Sequence, residues 1–298
     1  MSEPRLRAPT ERDIPAIVGC FASAFGDERL VDDAEVRGWL ASGELDEDLV
    51  CVLEVNGAVV GYGDLIRVPR NDELEVCIAA AGHEVLMLDW AERVAGLQRT
   101  GGTRAYVPEG HPLEERLRER GYRYWLSSLT MRIELDDDPP SRSIPPLGVE
   151  LHSYRPRDVG SVIELLNEAF VDDPFHRELT EASFVDRLVT RPGFDPAHWH
   201  LARAGDEVVG VALALPPRPG GHAIGHVDSL AVRDTWRRRG VGECLMRRAI
   251  RELHTAGVRT VELGVVAGNP TGAVRLYERV GMTAVARWNN WVLRFIDA

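Results

Sequence analysis

Residues 226–282 carry the pattern that most restricts how this chain folds. A short apolar strand ends at Leu230-Ala231-Val232, the segment Arg237-Arg238-Arg239-Gly240-Val241-Gly242 follows, and a long helix begins within it. That helix places Val241, Leu245, Ala249, Ile250 and Leu253 on one face and Glu243, Arg247, Arg251 and Glu252 on the other. The next segment, Thr260–Val266, is apolar almost throughout, as a strand buried in a parallel sheet must be. Strand, helix and strand therefore predict a right-handed parallel crossover in an α/β layer arrangement.

The turn inside this crossover predicts an anion site. The first N–H groups of a helix have no acceptor within the helix, and the macrodipole adds partial positive charge at that end. Gly240 and Gly242 have no Cβ to keep a phosphate off the backbone. Three consecutive arginines add forked donors beside them. Neither common nucleotide loop is present. There is no G-x-x-x-x-G-K-[ST], and Leu245 stands where G-x-G-x-x-G needs its third glycine.

Downstream, Asn269-Pro270 leads into Ala273-Val274-Arg275-Leu276-Tyr277-Glu278 and then Gly281-Met282. Strand, R-x-x-G-x-G turn, helix, strand and N-P-x-x-A-x-x-L-Y-E-x-x-G-M follow in the order of the GNAT acetyltransferase superfamily, which this segment resembles. The resemblance implies acetyl-CoA as co-substrate and no metal. It assigns the pantetheine arm to the backbone of Leu230, Ala231 and Val232 and to Asn269. It assigns the pyrophosphate to Arg237, Arg238, Arg239, Gly240, Val241, Gly242 and Glu243. Asparagine before proline also predicts that Asn269 caps a helix over 270–280.

An amine attacking a thioester must be neutral, its tetrahedral oxyanion needs donors, and the departing thiolate needs a proton. Alkyl amines titrate near ~10, so a base or a desolvated site must take the proton. His226 and Asp228, two residues apart, are expected on one side of their strand. His226 is the first choice of base, since imidazole titrates near ~6.5, with Asp228 orienting it. Tyr277 is the expected general acid, a phenol near ~10 donating to a thiolate whose acid lies near ~8.5. A backbone N–H of the strand serves the oxyanion. In the same family the connection between the two helices of the second half lines the acceptor side, which marks Asp172, Asp173, Phe175 and His176.

A net charge of −12 over 298 residues argues against general nucleic-acid or anionic-membrane binding and makes the arginine turn stand out. The partner expected is a small-molecule amine, and the protein a monomer or homodimer. Cys20, Cys51, Cys77 and Cys244 form no C-x-x-C pair and read as buried thiols, Cys244 included, although it lies just inside a helix N-terminus. The first residues lack an apolar signal core, and no apolar run reaches membrane-spanning length, so the expected compartment is the cytoplasm.

The first half repeats the element order β-α-α-β-β-β-α-β-α-β, with a hairpin about Asn56-Gly57. Its phosphate turn is missing, since Ala79-Ala80-Ala81-Gly82-His83 follows the strand there. Counted back from Gly121 as from Gly281, Glu109 replaces Asn269 and Leu117 replaces Tyr277. Between the halves, residues 136–148 hold three aspartates and four prolines, a stiff extended spacer. The expected division is a degenerate GNAT-like domain at 1–135, a linker at 136–148 and a catalytic GNAT domain at 149–298. Each would be a mixed, mostly antiparallel sheet with one parallel crossover and flanking helices. The layout resembles that of the mycothiol synthase family. The implied activity is acetyl-CoA-dependent N-acetylation of a small amine; the alternatives are a mycothiol-synthase-type enzyme and a non-catalytic acyl-CoA sensor. The last two strands are expected at 282–286 and 291–295, with Trp288-Asn289-Asn290 between them.

Overall fold

The computed structural model describes residues 3–41, 46–68, 72–138, 140–190, 194–217 and 222–295. Pro139 of the spacer and residues 218–221 lie outside that set. The first half comprises β1 (Arg5–Arg7), α1 (Ile14–Phe25), α2 (Asp33–Ala41), β2 (Val50–Val55), β3 (Ala58–Val68), β4 (Glu73–Ala79), α3 (Glu84–Leu97), β5 (Gly102–Pro108), α4 (Leu113–Glu119) and β6 (Arg123–Glu134). The second comprises β7 (Glu150–Ser153), α5 (Val159–Ala169), α6 (Glu181–Phe184), β8 (Trp199–Ala204), β9 (Glu207–Leu215), β10 (Ile224–Val232), α7 (Val241–Thr255), β11 (Thr260–Val266), α8 (Ala273–Arg279) and β12 (Thr283–Arg294). Among the described residues no helix is long and apolar enough to cross a membrane.

Among the described residues twelve strands join one mixed sheet in the order β1-β2-β3-β4-β5-β12-β6-β11-β10-β9-β8-β7. Two pairs are parallel, β4 with β5 and β10 with β11, each bridged by a helix as the crossover pattern requires. The two halves repeat local detail. Asp13 accepts from the backbone N–H of Thr10 at the start of α1, and Asp158 accepts from that of Arg155 at the start of α5. The Asn56-Gly57 hairpin forms with both residues at positive φ, 52° and 81°.

The centre of the sheet exchanges strands. β12, the last strand of the chain, lies between β5 and β6, while β6 of the first half pairs with β11 of the second. Trp288 and Trp291 of β12 are buried in the first half's core clusters, and Met131 of β6 is buried in the cluster under α7. The two strands expected at the C-terminus are one twelve-residue strand. Asn289 and Asn290 looked like a junction because asparagine favours turns, but both are buried in the ladder. Asn289 accepts from Ser127 Oγ at 2.6 Å and donates to Glu114 at 2.5 Å, which satisfies its amide. α6 leaves α-geometry after Phe184, and the chain continues as a wider turn over Val185–Val189.

The spacer at 136–148 lies along α7. Asp136 O contacts His254 Nε2 at 2.9 Å, Pro140 O accepts from Arg251 at 2.6 Å, and Ser143 O lies 3.7 Å from Cys244 Sγ. Cys244 is buried, and burial raises its thiol pKa, as suits a packing role. All four cysteines are free thiols.

Gly102 sits where β5 meets β12. A Cβ there would overlap the backbone carbonyl oxygen of Leu293, which has no side-chain freedom to yield. Gly102→Ala is expected to lower unfolding free energy by about 2–3 kcal/mol in urea titrations. Gly38→Ala, on an exposed helix position with nothing within 4 Å, should instead gain roughly 0.5–1 kcal/mol. Equal effects at both sites would rule out the strand exchange as a packing constraint.

Candidate functional site

The parallel ladder of β10 and β11 covers only Ile224–His226 against Thr260–Glu262. On its other edge, β10 slips register against β9 between Val227 and Ser229, which makes Asp228 a bulged residue. Beyond that point β10 and β11 diverge, and a cleft of about 510 Å³ opens between Val227–Val232 and Leu263–Val266. The end of α5 and its following loop, residues 168–174, form one wall; residues 269–273 with Leu276 and Tyr277 form another.

The glycine turn closes one end. Gly240, at φ 88°, precedes α7, and the first helical bond runs from Cys244 N to Gly240 O, so the N–H groups of Val241, Gly242 and Glu243 lie ahead of it. Gly242 lines the cleft, and a Cβ there would stand 2.9 Å from Leu276 Cδ1. Val241 is buried in the core and contributes only backbone. The three arginines have separate tasks. Arg237 donates to Val232 O at 3.1 Å and pairs with Asp234 at 2.5 Å, bracing the turn from within. Arg238 lines the cleft and holds a φ of 60°, a strained value for a side-chain-bearing residue. Arg239 lies over the Trp236 ring, 4.9 Å from its centroid, outside the cleft lining. Glu243 bonds Arg247 and Arg279, which hold its carboxyl below the usual range; the acid beside the turn is thereby offset by two cations.

Of the chemistry-bearing residues, Asp228 and Tyr277 share the cleft lining with the backbone of Leu230, Ala231 and Val232. Tyr277 is 7% exposed, and burial pushes its phenol up to about 12. His226 is not part of that lining. It lies in the paired section of β10, opposite Leu215 on one side and Glu262 on the other. Val227 is buried between the exposed His226 and Asp228, as alternation expects, and the bulge against β9 follows Val227. Asn269 lines the cleft, but α8 begins at Ala273 behind Gly272 at φ 80°. Asn269 Oδ1 instead accepts from Thr271 N at 2.9 Å, a local turn that competes with capping. Asp172 and Asp173 line the cleft; Phe175 packs on Trp125, and His176 bonds Asn167. Sequence reasoning missed Gly264, whose missing Cβ leaves open space in the cleft wall; a glycine inside an apolar strand was the available signal.

The first half treats the same positions differently. At the start of α3 the backbone N–H of Gly82 is taken by the Glu84 carboxylate at 2.9 Å. His111, which corresponds to Thr271, contacts Ala24 O through Nε2 at 3.0 Å and packs on Phe25. Leu117 is fully buried where the second half has Tyr277.

The family model described as Acetyltransferase (GNAT) family matches residues 161–282. The mycothiol acetyltransferase of Geodermatophilus obscurus is 32% identical over 291 residues, covering 93% of this chain and 92% of that protein. A GCN5-related N-acetyltransferase from Sphaerobacter thermophilus superposes with a TM-score of 0.84 at 26% identity, covering 99% of this chain and 98% of that one. A tandem GNAT protein from the clavulanic acid biosynthesis pathway shares the fold, with a TM-score of 0.73 at 18% identity over 99% of this chain and all of that one.

The strain at Arg238 separates stability from binding. Arg238→Gly should raise stability by roughly 1 kcal/mol through relief of the left-handed backbone. The same change should weaken CoA binding about tenfold by calorimetry through loss of a guanidinium at the turn. Unchanged CoA affinity would remove Arg238 from the anion site.

Proposed function

The chain belongs to the GNAT acetyltransferase family, in the tandem group that includes the mycothiol acetyltransferases, and we propose that it moves an acetyl group directly from acetyl-CoA to a primary amine of a small molecule in the cytoplasm. One observation carries this reading: an anion turn, diverging parallel strands, a carboxylate and a protonated buried phenol line a single cleft. The residues fit the co-substrate. A Cβ at Gly242 would press on Leu276 Cδ1 at the cleft wall, the amides ahead of Cys244 suit a pyrophosphate, and the free edge of β10 suits an amide-bearing arm.

Within that cleft the strand N–H groups of Leu230 and Val232 orient the arm and serve the oxyanion. Tyr277 holds its proton throughout the neutral range, because its pKa of about 12 lies far above it, and passes that proton to the departing thiolate. Asp228 is placed to take the proton of the attacking amine; His226 would do so from the strand's paired end through water. No residue of the chain becomes acylated. Asp172 and Asp173 on the facing wall favour a cationic acceptor before it is deprotonated. Mycothiol-type acceptors, aminoglycosides and polyamines all have this character.

The proposed division assigns chemistry to residues 149–298, with residues 1–135 as a copy without a working cleft and 136–148 as the spacer. The Glu84 carboxylate at Gly82 supports it, since it occupies and repels where phosphate would bind. So does the bond from His111 to Ala24, which spans what is an open mouth in the second half.

Thiol release from acetyl-CoA, followed across an amine panel, should detect turnover, and calorimetry should find one CoA per chain. Two CoA per chain would sink the division, and binding without turnover would make the protein a sensor. Tyr277→Phe should lower kcat about a hundredfold or more, by a similar factor from pH 6 to pH 9, because the lost donor does not titrate in that window. An unaltered rate would end its role as acid.

A further inference from the structure

The loop after α5 gives residues 170–174 to the cleft wall, but the next residue turns away from the cleft. Phe175 packs edge-on against Trp125 of β6, with centroids 5.7 Å apart and planes at 64°. Arg104 of β5 lies over both rings, 5.3 Å from the Trp125 centroid and 5.1 Å from that of Phe175. Its side chain is 2% exposed. One nitrogen, Nη2, donates to Glu75 at 2.9 Å, while Nε and Nη1 have no hydrogen-bond partner among the described residues.

A buried guanidinium with two idle donors is an expensive way to fill space. An aliphatic side chain of similar volume would pack there without the desolvation cost. What the planar cation adds is direction, because it attracts both ring faces and fixes them about itself. The same loop has a second tie to the first half, where Arg177 donates to Arg67 O at 2.8 Å. In the strand register Arg104 stands opposite Glu75 across the parallel ladder as Glu262 stands opposite His226, so it takes the place that Glu262 holds in the second half.

We propose that Arg104 is a positioning residue for the cleft in the second half. It clamps Phe175 against Trp125 and so sets loop 170–177, with Asp172 and Asp173, at the acceptor side. The loop position stands on geometry alone, whereas its consequence for the amine rests on the function proposed above. The first half is then a working part of the site although it contributes no group to the chemistry.

Three variants test this, all in the full-length chain. In Arg104→Met and Phe175→Ala, hydrogen–deuterium exchange of peptides covering 170–177 should speed up about tenfold, with α7 unchanged. Arg104→Lys, which keeps charge but not the plane, should resemble Arg104→Met. CoA affinity by calorimetry should stay within about twofold of wild type. With whichever panel amine turns over fastest, KM for the amine should rise about tenfold and kcat should change less than about threefold. Phe175→Ala truncates a half-buried loop residue and keeps the test decisive if Arg104→Met does not fold. Unchanged loop exchange in Phe175→Ala, or a parallel loss of CoA and amine affinity, would overturn the clamp. If wild type binds no CoA, the proposed function fails, while loop exchange still decides the clamp.

Discussion

The cleft exists because a parallel ladder stops early. β10 and β11 share only three paired positions, and past His226 the edge of β10 that faces β11 has no strand beside it among the described residues. Backbone N–H and C=O groups must find partners, so an unpaired stretch in the middle of a sheet favours any ligand that presents amides at strand spacing. The bulge at Asp228 bends β10 where the ladder ends, and the same deformation turns a carboxylate into the opening. α7 starts just beyond the strand's C-terminal end, so its positive pole faces the same space. Amide edge, anion turn and carboxylate are thus consequences of one local failure of pairing.

The exchanged strands give that cleft a rigid frame. β12 completes the first half's cores with Trp288 and Trp291, and β6 completes the second half's with Met131. Either half alone would expose large buried side chains and leave an open strand edge at its centre. Each half therefore supplies a strand that the other half's ladder and core use. The chain length and the spacer suggest two separable domains, whereas the sheet makes them one hydrogen-bonded body.

What could be read from the sequence was local. The Asn56-Gly57 hairpin needs only two residues that accept positive φ. The crossover and its glycine turn depend on periodicity within a few dozen residues. The errors lie where a distant partner decides. Asn289 and Asn290 read as loop residues because their partners, Ser127 and Glu114 among them, lie over 160 residues away in sequence. Asn269 read as a helix cap, but Gly272 was free to take φ 80° and delay the helix by a few residues. Phe175 read as a substrate contact because its loop lines the cleft, while its ring is claimed by Trp125 and Arg104.

Arg104 shows how one half can serve the other through position alone. In the strand register it stands opposite Glu75 as Glu262 stands opposite His226, so the two halves keep matching ladders while their side chains diverge. A buried cation carries a desolvation cost, and two aromatic faces with one carboxylate offset part of it. One of those faces is Phe175, which follows directly on the residues that wall the cleft. The arginine therefore makes sense only with that neighbour in place: without the loop its ring contact is lost while the cost of burial stays.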